Sequence, residues 1–563
     1  MLLFKQLNDK KMKHLKHIAG AGLIALLVAG CSKDKLDKLP QGEVSQETFW
    51  TTEKEARLAL NACYNFVDGT SYNAWYNDGF ADNAYCQYPW ESNATAVSAG
   101  NINAATIDMG YDFTVITRCN NFLTNIGKVS MDEDLKKRYI AEARALRAYR
   151  YFLMSQYFGA MPLVTETAPD PSTLDISPKS QEELFSFITT ELGESSTDLP
   201  ESYPGGAGTE VGRVTRWAAL ALKARAHLYH GDWSDAAATA KLIMESNQFK
   251  LFRIDALTAE DMNDDYSGFV NFADDAAKTR FYKGLRSYEK QFWAANENNP
   301  EVILDAGYIL NDEYYYSNGL QLLNPPAYLG GWSSIEPTQD LVDAYWEVDG
   351  TPFTPPSADT RAANFNSGDP NPAYYNEFKN RDTRLYASIL FPGNPWNYGK
   401  ISTVGYWDQD VTKTGYNFRK LVDPNYVVAW TSPQNFQLIR YAEVLLTFAE
   451  AQNEAVGPDS DVFAALNDIR DRVGMPAVDA SLGKDALREV IRNERRIELA
   501  EEGFRYDDMR RWNLLNNMHD LHNINNQLVQ ERKWVEKYKL LPYPQAAVDR
   551  NPLLKDAQAA KGY

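Results

Sequence analysis

The chain has 563 residues, with 57 Lys and Arg against 76 Asp and Glu, for a formal charge of −19. Such acidity excludes a nucleic-acid binder, because phosphate contacts need clustered Lys and Arg. Aromatic residues make up 13% of the chain, with 33 Tyr and 13 Trp. These rings pair an apolar face with a polar handle and suit wet surfaces that grip a ligand.

The first element is a signal. Lys13 and Lys16 precede Ile18 to Gly30, thirteen residues without a charge. A membrane-spanning helix needs about 20 apolar residues. This shorter run, with basic residues before it and small residues after it, reads as a secretory signal over 1–30, cleaved in the mature protein. Met12 offers a second start, since the signal is complete from there. Val28-Ala29-Gly30-Cys31 resembles a bacterial lipobox. In lipoproteins of that pattern the cysteine becomes the new N-terminus and carries acyl chains, palmitate among them. Several chains anchor stably where one binds only marginally. Residues 31–50 are then a lipidated tether. Its charged start, Ser32-Lys33-Asp34-Lys35-Leu36-Asp37, resembles surface-export signals of Bacteroidetes lipoproteins. Removing residues 1–30 takes away five lysines and one aspartate and brings the charge to −23. Cys63, Cys86 and Cys119 remain, too few and too odd for a disulfide framework. They leave room for one pair and require none.

Beyond the tether, 51–563 reads as one domain built from two kinds of segment. Helical spacing predicts helices over 52–66, 139–158 and 484–502. It predicts pairs over 213–246, turning at Gly231 to Trp233, and over 436–473, broken near Gly457-Pro458. Scaffold is expected mainly at 51–66, 139–250 and 436–512. The pairs suggest tetratricopeptide-type units of about 34 residues, with small residues where helices touch. Ala224, Gly231, Ala236 and Ala240 fit that pattern. Residues 67–118 and roughly 265–435 are instead dense in Gly, Pro, Asn, Asp and aromatics. They read as a loop-rich ligand face, since ordered loops this long are usually functional. The expected fold is mostly α: a tetratricopeptide-like helix-pair scaffold presenting a large loop-rich face.

No catalytic constellation stands out. In "ERRIELAEEGFRYDDMRRW", Glu494, Arg495, Glu498 and Glu502 are helical neighbours of both signs, so they neutralise one another. The same holds for Glu443 and Glu450. His227 with His230, and His519 with His522, sit one helical turn apart without further zinc-type spacing. Asp261, Asp264 and Asp265 lack the calcium-loop register. A glycoside hydrolase needs two carboxylates about 5–9.5 Å apart, and no pair is singled out. No catalytic residue, metal or cofactor is expected.

Binding candidates are clearer. Ser71 to Ala94 interleaves aromatics with Asn, Asp, Gln and Glu. Sugar rings have apolar C–H faces and hydroxyl rims; an aromatic ring covers the face while amides and carboxylates bond the hydroxyls. Trp75, Tyr85, Tyr88 and Trp90 are candidate platforms. Asp78, Asp82, Glu91 and Asn93 are candidate rim partners. A second patch is Tyr314, Tyr315 and Tyr316 with Trp332. A third is Trp396, with Trp407 behind it.

Eight phrases in order carry a family resemblance: "CSKDKLDKLPQGEVSQETFW", "AEARALRAYRYFLMSQYFGAMPLVTE", "GRVTRWAALALKARAHLYHGDW", "IEPTQDLVDAYWEVDG", "NRDTRL", "IRYAEVLLTFAEAQNE", "IRNERRIELAEEGFRYDDMRRW" and "LPYPQAAVDRNPLL". The chain resembles the SusD/RagB family of Bacteroidetes outer-membrane glycan-binding lipoproteins. The resemblance implies a SusD-like α-α superhelix, lipid-anchored in the outer membrane through Cys31 and facing the cell exterior. It implies a SusC-like TonB-dependent transporter as partner and an oligosaccharide or polysaccharide ligand, captured and delivered without catalysis. Two alternatives are a peptide-binding lipoprotein of a similar transporter, and a protein-interaction scaffold with no sugar site. The sequence does not choose the glycan.

Overall fold

The computed structural model describes residues 49–105, 109–166, 175–204, 210–310, 315–366, 372–397 and 412–563. The signal, Cys31 and most of the tether lie outside them, as do Tyr314 and Trp407. The chain divides into two units, 1–58 with 125–131 and 59–124 with 132–563. In the first, the described residues hold the opening turns of α1 (Glu53–Cys63) and a 3-10 turn at Ile126–Lys128. All that follows concerns the second.

Its scaffold is helical. After α2 (Val67–Asn77) and α3 (Thr114–Asn125) comes the long α4 (Glu133–Phe158). Asp132 caps α4 by accepting from the Leu135 N–H at 2.9 Å, with Glu133 and Asp134 in the first turn. Acids there complement the helix dipole. This cap sets the start six residues before the expected one, in a charged turn with no apolar periodicity. α5 (Gln181–Asp198) opens on a reciprocal cap between Ser180 and Glu183. α6 (Arg216–His230) is capped by Thr215 and stops at Gly231, whose φ of 92° suits glycine. α7 (Trp233–Glu245) then folds back. Ala218, Ala219, Ala221 and Ala224 on α6, and Ala236, Ala237 and Ala240 on α7, are buried. Their small side chains let the two axes approach, as the repeat pattern anticipates. α9 (Tyr441–Ala455), α10 (Ser460–Arg472) and α11 (Lys484–Glu498) follow α8 (Asp275–Lys290) in the chain. α4 packs on α5, α5 on α6, α6 on α7 and α7 on α9, which also carries α10 and α11.

Three expectations change. Phe436–Arg440 is a strand, not helix: the five buried residues of "FQLIR" pair antiparallel with Val302–Ala306. Residues 67–77 and 275–290, expected among the loops, are the helices α2 and α8. α2, "VDGTSYNAWYN", is rich in poor helix formers, so tertiary packing overrides its propensity. α8 is fixed by the Asp274 cap on Ala277 at 2.7 Å. Among the described residues the strands form only two-stranded sheets. The pairs that matter below are β1 (Ala84–Cys86) with β3 (Ile335–Pro337), and β2 (Val302–Ala306) with β4 (Phe436–Arg440).

Most acidic and basic residues of "ERRIELAEEGFRYDDMRRW" are buried, with Arg496, Asp507 and Arg511 partly so. Arg440 donates to Glu301 at 2.8 Å, Glu498 at 2.7 Å and Glu502 at 2.7 Å. Arg472 bonds Glu301 and Glu498, and Arg384 reaches Glu494 at 2.5 Å and Glu498 at 3.0 Å. Lys420 donates to Glu502 at 2.6 Å. Burial opposes the charge on Glu498, yet Arg472, Arg440 and Arg384 together hold its carboxyl well below the usual range. These groups lock strand β4, α10 and α11 to one another and have no free carboxylate to offer a substrate.

Candidate functional site

Three loops meet beside the β1–β3 pair. The first leaves β1 at Gln87. Its N–H donates to the Ser334 carbonyl at 3.1 Å, and its side-chain amide donates to Ser333 O at 2.9 Å and Trp332 O at 3.2 Å. The second loop, 330–334, is strapped to the turn at 320–325. Trp332, Ser333 and Ser334 N–H groups donate to Leu322, Pro325 and Leu323 carbonyls at 2.8, 3.1 and 2.7 Å. A Cβ on Gly331 would stand 2.1 Å from the Pro325 oxygen, so the "LGGW" turn needs glycine there. The third loop, 426–432, is held by the Val428 N–H on Gln321 O at 2.9 Å.

Together these loops raise four rings. Trp90 is 78% exposed, and Tyr88 stacks on it at 4.9 Å and 29°. Trp332 is 39% exposed and meets the 71%-exposed Trp430 edge to face at 5.4 Å and 80°. The Tyr88 hydroxyl donates to the Trp332 carbonyl at 3.4 Å and joins the two pairs. Exposed tryptophans so grouped are uncommon without a binding role. Glu91, half-buried just behind, accepts from Ser334 Oγ at 3.1 Å and Tyr76 OH at 3.2 Å, and burial raises its pKa. Glu336, opposite Tyr85 in the sheet, is buried and accepts from the Lys413 and Thr414 N–H groups at 3.0 and 2.8 Å. Burial pushes it up to about 7.

The structure sorts the expected residues. Tyr88, Trp90 and Trp332 share the patch, and Tyr85 lies half-buried in β1, opposite Glu336. Asn93 is half-buried at the start of the next helical turn. Two platform assignments need correction. Trp75 is 4% exposed and packs against Tyr308 and Phe436. Trp396 is 1% exposed and packs with Leu390 and Val422. Neither leaves a ring face for a sugar. Trp396 has a supporting place instead: Leu329, just before the second loop, and Val427, in the third, rest on its cluster. Asp82 also changes role. Arg505 chelates it at 2.6 and 2.8 Å, Arg496 approaches at 3.2 Å, and these guanidiniums outweigh burial and hold the carboxyl below its usual range. Asp78 is likewise spent, accepting from the Glu501 N–H at 2.8 Å. Tyr315 and Tyr316 lie in a short strand paired with Ile309 and Leu310. Trp430 was not among the expected residues. It follows "VVA" rather than amides, so composition gave no signal.

Elsewhere, Asp264 is paired with Arg286 at 2.8 Å and Asp261 with Lys290 at 2.5 Å. Among the described residues, His227, Asp232 and Asp235 bring one donor atom each within 4.8 Å of one another. Asp232 already bridges His227 at 3.4 Å and His230 at 3.3 Å.

Two family models match the chain. Residues 300–563 match one described as the SusD family, and 34–228 match one described as starch-binding associating with outer membrane. A SusD-like protein of Formosa agariphila is 24% identical over 529 residues, 90% of this chain and 92% of that protein. A crystal structure of a SusD-like protein from Bacteroides fragilis superposes with a TM-score of 0.74 at 26% identity, over 92% of this chain and 99% of that one. A SusD-like carbohydrate-binding protein from the same organism gives 0.74 and 26%, over 90% of this chain and all of the other.

Proposed function

Because the chain belongs to the SusD/RagB family, we propose that it is a non-catalytic surface lipoprotein that binds an oligosaccharide or polysaccharide on the Tyr88, Trp90, Trp332 and Trp430 patch. The observation that carries this reading is the grouping of three exposed indoles and a phenol by three loops bonded to one another or to the turn at 320–325. Each indole has a face that can cover the C–H face of a sugar ring, and several such faces in one patch suit a chain of rings. The turned relation of Trp332 to Trp430, near perpendicular, suits a ligand that bends or branches rather than a flat ribbon.

Capture is followed by delivery to a SusC-like TonB-dependent transporter in the outer membrane. The family model described as associating with the outer membrane supports that placement. The lipobox at Val28 to Cys31 supports attachment by acyl chains on Cys31, with the body facing the exterior.

The test is binding of the mature chain lacking Cys31 to a broad glycan panel, with Trp90→Ala and Trp430→Ala beside it. A hit weakened by both substitutions supports the reading. A panel with no hit refutes it and turns attention to peptides. For the anchor, Cys31→Ala should leave the protein folded but absent from the outer-membrane fraction; its retention there would refute lipid anchoring.

A further inference from the structure

The chain segment that carries Tyr88 and Trp90 is bracketed by two cysteines. Cys63 closes α1 and Cys119 lies in α3. Both are fully buried, and the Cys119 thiol is in hydrogen-bonding contact with that of Cys63. Beside them the Arg118 guanidinium donates to Ala62 O at 3.4 Å, so the two helices are already joined at this level. The third cysteine of the described residues stands apart. Cys86 in β1 is buried and its thiol donates to Tyr76 O at 3.8 Å. One close pair and one solitary thiol therefore come from three cysteines.

We infer that Cys63 and Cys119 form a disulfide that clasps the base of segment 64–118. This inference rests on the proposed placement outside the cytoplasm, where disulfides persist. The oxidant is another disulfide, from a thiol oxidoreductase or oxidised glutathione. One cysteine thiolate attacks it to give a mixed disulfide; the second attacks that, forming the Cys63–Cys119 bond. Two electrons and two protons pass to the incoming disulfide, which leaves as two thiols. Both sulfurs are buried, so exchange takes place during folding or a local opening. The closed loop contains α2, β1 and the Tyr88–Trp90 turn. The clasp restrains the unfolded chain and fixes the two ends of the segment from which the patch rises.

The test uses the mature chain in two forms. Protein from cell envelopes is alkylated before lysis and mapped without reduction. The same chain, made reduced in a cytoplasm, is equilibrated in glutathione buffers and mapped likewise. The expected result is one linked peptide pair, Cys63 with Cys119, and an alkylated Cys86. Cys86→Ser should keep the link and Cys119→Ser should abolish it. Where Cys119→Ser fails to fold, limited proteolysis within 64–118 gives the readout: fragments stay joined on a non-reducing gel and part on reduction. Free Cys63 and Cys119 thiols in the most oxidising buffer would overturn the clasp. A link formed in glutathione but absent from envelope protein would leave the clasp standing and refute the oxidising placement.

Discussion

The sharpest perturbation is Trp430→Ala. Trp430 is 71% exposed and touches Trp332 only edge to face, so its removal leaves no cavity in the core. A sugar ring stacked on one indole face covers roughly 40 Å² of the ring and about as much of itself. At about 25 cal/mol per Å² that is about 2 kcal/mol, or roughly a 30-fold change in Kd. Trp90→Ala should act similarly, since Tyr88 covers only one of its faces. Trp332, 39% exposed, should have about half that effect in free energy. The assay is isothermal titration with the panel's best glycan, alongside thermal unfolding of each variant. Trp430→Ala should weaken binding with an unchanged unfolding temperature. Binding within twofold of the parent would refute the stacking argument, because the substitution removes the whole ring face on which the sugar is held to stack.

Trp396→Ala should lower stability by about 3–5 kcal/mol, as large-to-small core changes do, and also weaken glycan binding, since Leu329 and Val427 rest on its cluster; urea unfolding and titration measure the two effects. Trp75→Ala should show the stability loss with a smaller effect on binding, because its neighbours are Tyr308 and Phe436 rather than site loops. Glu498→Ala should lower stability by about 3–5 kcal/mol, since it removes the one buried carboxylate that Arg384, Arg440 and Arg472 share; a urea midpoint equal to the parent's would contradict the ionic core. Its depressed pKa gives stability that is present above the ordinary carboxylate range and lost as pH falls through the folded value. Glu336 has the opposite sign. Its pKa is raised to about 7, so the folded state keeps a proton that the unfolded state releases between about 4.5 and 7, and stability falls as pH rises through that window. Glu336→Gln should flatten that part of the urea midpoint profile between pH 5 and 8, and an unchanged slope would remove Glu336 as the cause.

The helix pairs were legible because their signals are local. Alanines at packing positions, a glycine at the turn and a polar cap each act over a few residues, and all three occur between Thr215 and Ala240. The strand at Phe436–Arg440 was not legible. A five-residue stretch with three apolar residues fits a helix start or a strand equally well, and its partner, Val302–Ala306, is far away in sequence. The charged phrase near the C-terminus was legible as mutual neutralisation but not in its partners. Glu498 meets Arg384, Arg440 and Arg472, from three separate segments.

For the site, ring identity and neighbours in sequence carried only part of the information. Trp75 and Trp90 sit in one interleaved stretch, yet one is core and the other projects from the surface. What separates them is where the chain turns. Trp75 lies in α2, whose packed face it occupies, whereas Trp90 lies past β1 in a turn that Gln87 pins to the Ser333 and Ser334 carbonyls. Trp430 reverses the lesson. An apolar "VVA" before it suggests burial, but Val427 is drawn down onto the Trp396 cluster, and the ring three residues on is left outside. A buried tryptophan thus helps set an exposed one. An amphipathic ring beside an amide marks a candidate surface, but exposure is decided by anchors such as Gly331 and Trp396, which bind nothing themselves. Changing those anchors should therefore disturb ligand binding without removing any ring that touches the ligand.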